Sequence, residues 1–268
     1  MQIRLIAMDL DGTLYNSDKR IDPRDIDALL RAERAGVRLA LASARPLPGL
    51  YHARDALRLA EYGGALIACN GGRIADAADG RLLHEESMSL GAARGVLRAL
   101  EALPCTPILD DGVRFYVTDR NAFMVDYECR NNAMTCREVP NLADFIDFAP
   151  AKLLLSVQPA KLPALQRSIA ALLPGELTVV QTAAFYLEVL PRGVDKGKAL
   201  LDTCAALGID PADAVAFGDE ANDIPMLRAA GLGVAMGNAQ ASVKAAADRV
   251  APTNDEAGIS ATLGALGL

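Results

Sequence analysis

Histidine is almost missing from this chain, with only His52 and His84 in 268 residues. A metal centre built on imidazole is therefore nearly excluded, and any metal has to be held by oxygen. Cysteine is sparse and scattered. The five (Cys69, Cys105, Cys129, Cys136, Cys204) are odd in number and never form a CxxC pair, which argues against a disulfide framework or a zinc knuckle and for a reducing cytoplasm. No run of basic residues is present to track a nucleic-acid backbone. With 27 Lys plus Arg against 34 Asp plus Glu the formal charge is −7, so nucleic acid is not an expected partner. No stretch approaches the roughly 18 uninterrupted apolar residues of a membrane span. Only Arg4 precedes the first apolar run, so neither a targeting segment nor a membrane partner is expected. Internal repeats and low-complexity tracts are absent as well.

What is present is an ordinary globular balance, 51% hydrophobic and 23% charged, enough for one large domain or two smaller ones. Ile3 to Met8 is mostly aliphatic and reads as a strand buried on both faces. Asp22-Pro23 with Asp25 supplies an N-cap, a proline in the first turn and an acid beside it, and Gly36 ends the helix so begun. "VRLALAS" reads as a second buried strand. A helix is expected from Pro48 to Leu59 and a strand from Ala65 to Cys69. Towards the end come a strand over Ala214 to Phe217, a helix over Ile224 to Ala230 and a short strand over Gly233 to Ala235. Strands and helices that alternate at both ends of a chain predict an α/β fold, a doubly wound parallel sheet.

The middle differs. "GGRIADAADGRLLHEES" and "TPILDDGVRFYVT" each place two short strands around an Asp-Gly turn. Helices near Leu90 to Leu103 and Leu162 to Leu173 flank strands near Lys152 to Val157 and Thr178 to Gln181. The reading is an α+β insert over residues 84–183 in a host of residues 1–83 and 184–268.

Four stretches carry chemistry. In "MDLDGTLYN", side chains two apart on an extended segment share a face, so Asp9 and Asp11 point together beyond the carboxyl end of the first strand, where open α/β sheets bind ligands. Two acids so close need a cation or a shared proton, although Asp11 and Thr13 capping a turn at Gly12 would give the same string. "LASAR" brings the Ser43 hydroxyl and the Ser43 and Ala44 amides to the sheet edge, which suits phosphate oxygens. "GVDKGKAL" puts Lys196 at a helix start, where an ammonium and the positive helix end coincide, although a lysine there is also commonly a solvated surface residue. "AFGDEANDIPML" follows a strand with Asp219, Glu220, Asn222 and Asp223, more polar groups than one helix cap needs.

In order and type these stretches resemble the four motifs of the haloacid dehalogenase-like phosphohydrolases. "GVAMGNA" and "TNDEAGIS" look like the Cof-type branch of that superfamily, which carries an α/β cap between the second and third motifs, where the insert falls. The resemblance implies a Rossmann-type core with a cap. It implies a Mg²⁺-dependent phosphatase of small phosphorylated metabolites, sugar phosphates first, in which Asp9 is the nucleophile and Asp11 the general acid and then base. Mg²⁺ would be held by Asp9, Asp219 and the Asp11 carbonyl. Phosphate would meet the Leu10 amide, Ser43, Ala44, Lys196 and Asn222, with Asp223 orienting Lys196 or a metal-bound water. The branch commonly reads Thr-Gly-Arg where this chain has Ser43-Ala44-Arg45. Serine keeps the hydroxyl, whereas alanine lacks glycine's freedom at positive φ.

Arg45 is a candidate contact to the substrate beyond its phosphate, or a structural ion pair. Asn70 either faces the site or fixes a turn, the turn being favoured; His52 and His84 are read as surface or packing residues. Arg114, Tyr116 and Arg192, near the cap or its return hinge, are candidates to read the leaving group, with solvent-exposed arginine the default. A phosphomutase on the same scaffold and a non-catalytic phospho-ligand binder are the competing functions. A halide-releasing enzyme is disfavoured, since Asp11 would have no leaving oxygen to protonate. The particular metabolite and the oligomeric state are not readable from the sequence.

Overall fold

The computed structural model describes residues 2–268. The chain divides into two compact units. The first comprises the chain up to Ala44 with Leu50–His84 and Asp195–Leu268, the second Arg45–Gly49 and Glu85–Val194. The first unit opens with strands β1 (Leu5–Met8), β2 (Arg38–Ala42), β3 (Ala65–Ala68), β4 (Arg73–Asp76) and β5 (Leu82–Glu85). The second supplies β6 (Thr106–Asp110), β7 (Arg114–Val117), β8 (Thr135–Glu138), β9 (Leu153–Ser156), β10 (Leu177–Ala183) and β11 (Tyr186–Pro191). The chain then returns to the first with β12 (Ala214–Gly218), β13 (Leu232–Ala235) and β14 (Arg249–Val250).

The first sheet has the order β14-β13-β12-β1-β2-β3-β4-β5, parallel from β14 to β3, with β4 antiparallel to β3. From β1 the chain winds outwards through β2 and β3, then later outwards on the other side through β12, β13 and β14. The winding therefore reverses between β1 and β12, and such a reversal leaves a crevice at the carboxyl ends of the strands. Met8 stands level with Leu41 and Phe217, so the loops after β1, β2 and β12 leave the sheet side by side. Every residue of β1, β3 and β12 is buried, as aliphatic runs sandwiched between helices should be. On one face Leu5, Ala7, Ala40 and Ala216 pack with Leu200, Cys204, Met226 and Leu227.

Helix Pro23–Arg34 is built as its sequence predicts, with the Asp22 side chain accepting from the Arg24 amide and Pro23 in the first turn. The helix expected over Pro48 to Leu59 is broken instead into a 3₁₀ turn at Leu47–Leu50 and short helices Tyr51–Ala56 and Leu59–Tyr62. Arg58 between them adopts a left-handed conformation (φ 56°) that no helix can carry through.

The second unit is a six-stranded sheet, β10-β11-β9-β6-β7-β8, antiparallel except for β7 with β8. One face packs Leu153, Leu155, Leu187 and Val189 against Val96, Leu97, Leu165 and Ile169 of helices Leu90–Leu100 and Leu162–Leu172. The other packs Ile108, Phe115 and Leu154 against Val125 of helix Val125–Asn131. The sequence reading ends the insert near Ala184, but β11 pairs with β9 and β10, so the second sheet runs on to Pro191. The hairpin of β4 and β5, in turn, extends the first sheet. No helix among the described residues is long and apolar enough to cross a membrane.

Candidate active site

The loops after β1, β2 and β12, with the start of helix Lys196–Leu207, bring together in the first unit the side chains that the motifs single out. Asp9 follows β1. Its carboxylate accepts from the Lys196 ammonium at 2.5 Å, and the same nitrogen donates to Asp223 at 2.6 Å. Lys196 is 1% exposed, so the reading as a solvated surface residue is excluded. Burial alone would lower its pKa, but the Asp223 and Asp9 charges more than offset this and hold it above its ordinary value. Burial pushes the Asp9 carboxyl well up, against the Lys196 charge that lowers it, while Asp223, Asp219 and Asp11 raise it further.

Asp219 follows β12 and accepts from the Thr13 hydroxyl at 2.9 Å. Burial and the Asp223 charge push it up to about 7. Thr13 thus crosses to another strand's loop instead of capping its own turn. Gly12 (φ +88°) closes the same corner, where an added Cβ would stand 2.3 Å from an Asp219 oxygen. Glycine alone satisfies both the backbone angle and the space. Asp223 is a holder: one oxygen meets Lys196, and the other accepts the Asp219 and Glu220 amides at 2.9 and 3.0 Å.

Asp11 is directed differently. It is about one-third exposed and pairs with Lys19 at 2.6 Å. The Ser43 amide, expected at the phosphate, instead donates to the Ile67 carbonyl at 2.8 Å, because the hydrogen-bond ladder between β2 and β3 continues one residue beyond the strand. The Ser43 hydroxyl and the Ala44 amide remain as the candidate contacts. Arg45 belongs to the second unit, where its guanidinium donates to the Asn131 carbonyl and, at 2.8 Å, to the Asn131 side chain. Asn70 is more than a turn residue. It holds a left-handed conformation (φ 56°) and its side-chain oxygen accepts from Asn222 at 2.9 Å, fixing the orientation of that amide.

Oxygens of Asp9, Asp219 and Asp223 lie within 4.8 Å of one another, all buried. Burial and the crowding of three acids around one ammonium hold the Asp9 and Asp219 carboxyls up, and an all-oxygen donor set of this kind suits a hard divalent cation. Both Asp223 oxygens are already bonded, so Asp9 and Asp219 are the carboxylates suited to a metal.

Residues 6–263 match the family model of the haloacid dehalogenase-like hydrolases. The chain belongs to that family. Among its relatives, a phosphoglycolate phosphatase of Methanopyrus kandleri is 31% identical, covering 97% of this chain and 95% of its own. The pyridoxal phosphate phosphatase YbhA of Escherichia coli is 30% identical over 95% of each. A haloacid dehalogenase-like hydrolase from Bacteroides thetaiotaomicron superposes with a TM-score of 0.92 at 32% identity, covering 99% of this chain and all of that one. The Asp9 and Asp219 corners of this haloacid dehalogenase-like hydrolase are joined by Thr13. Reading Thr13 as a backbone cap missed that role; a hydroxyl two residues beyond the second acid was the one available signal.

Proposed function

We propose that this haloacid dehalogenase-like phosphatase is Mg²⁺-dependent, hydrolyses small phosphorylated metabolites, sugar phosphates first among them, and works through a phosphate ester on Asp9. The observation that carries the reading is the buried Asp9–Lys196–Asp223 chain beside Asp219. A carboxylate nucleophile can approach a dianionic phosphate only where positive charge is gathered in advance, and a desolvated site makes that charge most effective. Asp9, Asp219 and the Asp11 carbonyl would hold Mg²⁺, which when bound neutralises phosphate charge and stabilises the transition state.

The chain's own groups do the rest. Lys196 holds one Asp9 oxygen, leaving attack on phosphorus to the other, and the ester P–O bond breaks as the new one forms. Asp11 gives its proton to the departing alkoxide, then takes one from the water that displaces phosphate from Asp9. The Leu10 and Ala44 amides, the Ser43 hydroxyl and the Asn222 amide held by Asn70 serve the phosphoryl oxygens. The relatives named for phosphoglycolate and pyridoxal phosphate carry unlike leaving groups, which supports a chemistry centred on the phosphoryl group.

The test is a phosphate-release screen over a broad panel of metabolites with Mg²⁺ and with excess chelator, joined to mass analysis of Asp11→Asn. Wild type releases phosphate only with the metal. The variant forms the ester from an aryl phosphate, whose phenolate leaves without a proton, and then stalls as a phosphoprotein whose added mass is lost when Asp9 is also replaced. Full turnover in chelator with tightly bound metal excluded, or an isomerised ester without free phosphate, would defeat the reading.

A further inference from the structure

Each acid of the Asp9/Asp11 pair has its own lysine. Asp9 meets the buried Lys196 at 2.5 Å, whereas Asp11 meets Lys19 at 2.6 Å, from only eight residues further along the chain. The loop between is built to make that second meeting. The Tyr15 amide donates to the Leu10 carbonyl at 2.7 Å, and isolated bridges join Asp11 to Tyr15 and Tyr15 to Ile21. At the tip the Asn16 side chain accepts the Asp18 and Arg20 amides at 3.1 and 2.9 Å, and the Lys19 amide donates to the Asn16 carbonyl at 2.9 Å. The loop is tied down from outside by Asp255, which takes the Ser17 amide and hydroxyl at 2.8 Å each, and by Asn254, which donates to the Tyr15 carbonyl at 2.9 Å.

The tip puts Lys19 itself in the left-handed region, at φ 58°. Glycine or asparagine takes that conformation readily, whereas a lysine is strained there. The ion pair with Asp11 is half exposed on the lysine side, and exposed pairs add little to stability. A strained residue whose contact does little for the fold points to function.

We propose that Lys19 is a positioning residue for the reaction: by gripping one oxygen of Asp11 it fixes the carboxyl that trades protons with the leaving group and the attacking water. The proposal rests on the general acid and base role given to Asp11 above. It separates the two acids of the motif by their cations, Lys196 serving the nucleophile and Lys19 the proton carrier.

The test uses Lys19→Gly, which relieves the left-handed strain and should keep its melting temperature, and Lys19→Arg, which keeps a cation, each alone and with Asp11→Asn. The probes are glucose 6-phosphate, or the alkyl phosphate that wild type cleaves fastest, and p-nitrophenyl phosphate. With Lys19→Gly, kcat/KM for the alkyl ester should fall roughly 10-fold, a moderate share of what general acid catalysis supplies, and by less than about 2-fold for the aryl ester, whose leaving group needs no proton. Lys19→Arg should recover most of the loss. In the Asp11→Asn background Lys19→Gly should add nothing, since a residue acting through another loses its effect when that other is gone. Equal changes on both esters, no change, or losses that add in the double variant would overturn the proposal while leaving the phosphatase reading intact. A wild type that releases phosphate from no ester would overturn both.

Discussion

A buried lysine between two aspartates serves the fold and the chemistry at once, and the two can be separated by what replaces it. Lys196→Ala removes the ammonium that meets Asp9 and Asp223 and leaves two buried acids uncompensated. We expect kcat to fall and KM to rise, with a combined loss of roughly 10²-fold or more in kcat/KM, because the charge faces phosphate in both the ground and transition states. Lys196→Arg should not rescue it, since a planar fork cannot occupy a fully enclosed point-charge site without displacing its neighbours. Steady-state kinetics of both variants check this; unchanged kcat and KM would show that the site is misplaced. At this scale much was readable in the sequence, for a reason. Asp9, Lys196, Asp219 and Asp223 each sit directly after a strand or at a helix start, where chain geometry fixes the direction of a side chain. What escaped depended on partners remote in sequence. The Ser43 amide is taken by Ile67, Thr13 reaches Asp219, and Asn70 reaches Asn222 across 152 positions, and no local pattern announces such pairings.

Elements followed the same division. Strands β1, β2, β3 and β12 were legible because burial on both faces demands unbroken aliphatic runs, and helix Pro23–Arg34 because its cap and proline are local signals. Strand β11 was not, since Glu188 interrupts its apolar run; helix Val125–Asn131 was not, since among its seven residues only Val125 and Glu128 are buried. Both exceptions converge on one buried polar cluster in the second unit. Lys152, just ahead of β9, pairs with Glu188 of β11 at 2.5 Å with 3% and 1% of their side chains exposed. Burial pushes the Glu128 carboxyl upward against the nearby Lys152 charge, and Asn132 donates to Glu128 at 2.9 Å. Removing one partner of such a pair strands the other charge in a dry interior. Lys152→Met should therefore destabilise the second unit by about 3–5 kcal/mol, and the double variant with Glu188→Leu should recover most of it. Denaturant unfolding followed by hydrogen exchange in β9 and β11 measures both; a single variant within about 0.5 kcal/mol of wild type would contradict the burial argument.

For the molecule as a whole, stability against pH is set by which acids are hidden and which are helped. Helix Pro23–Arg34 hides two. Asp25 accepts from the Ser260 amide at 2.7 Å through one oxygen, while burial raises its pKa to about 6. Glu33 is 3% exposed, neither carboxyl oxygen has a hydrogen-bond partner among the described residues, and burial raises it to about 8 despite the Arg38 and Arg58 charges. Acids whose folded pKa is raised bind their proton more tightly in the native state, so stability falls as pH climbs from the ordinary carboxylate range to the raised value and is flat above it. For Asp25 the window runs from 3.8 to about 6, and for Glu33 from 4.5 to about 8. Helped acids act in the opposite sense: the hydrogen bond from Arg24 lowers Asp22, and that contribution is lost as pH falls below the usual range. On these shifts stability is greatest at the foot of both windows, at about pH 4–4.5, and falls from there towards pH 8. Glu33→Gln keeps the shape and removes the proton, so it should melt with wild type near pH 4.5 and above it at pH 8. A rise from 4.5 to about 8 is worth on the order of 4 kcal/mol at pH 8, so the expected gap there is roughly 10 °C. Parallel melting temperatures across that range would mean that the Glu33 carboxylate finds charge compensation in the folded protein, and the slope would then have to come from other buried acids.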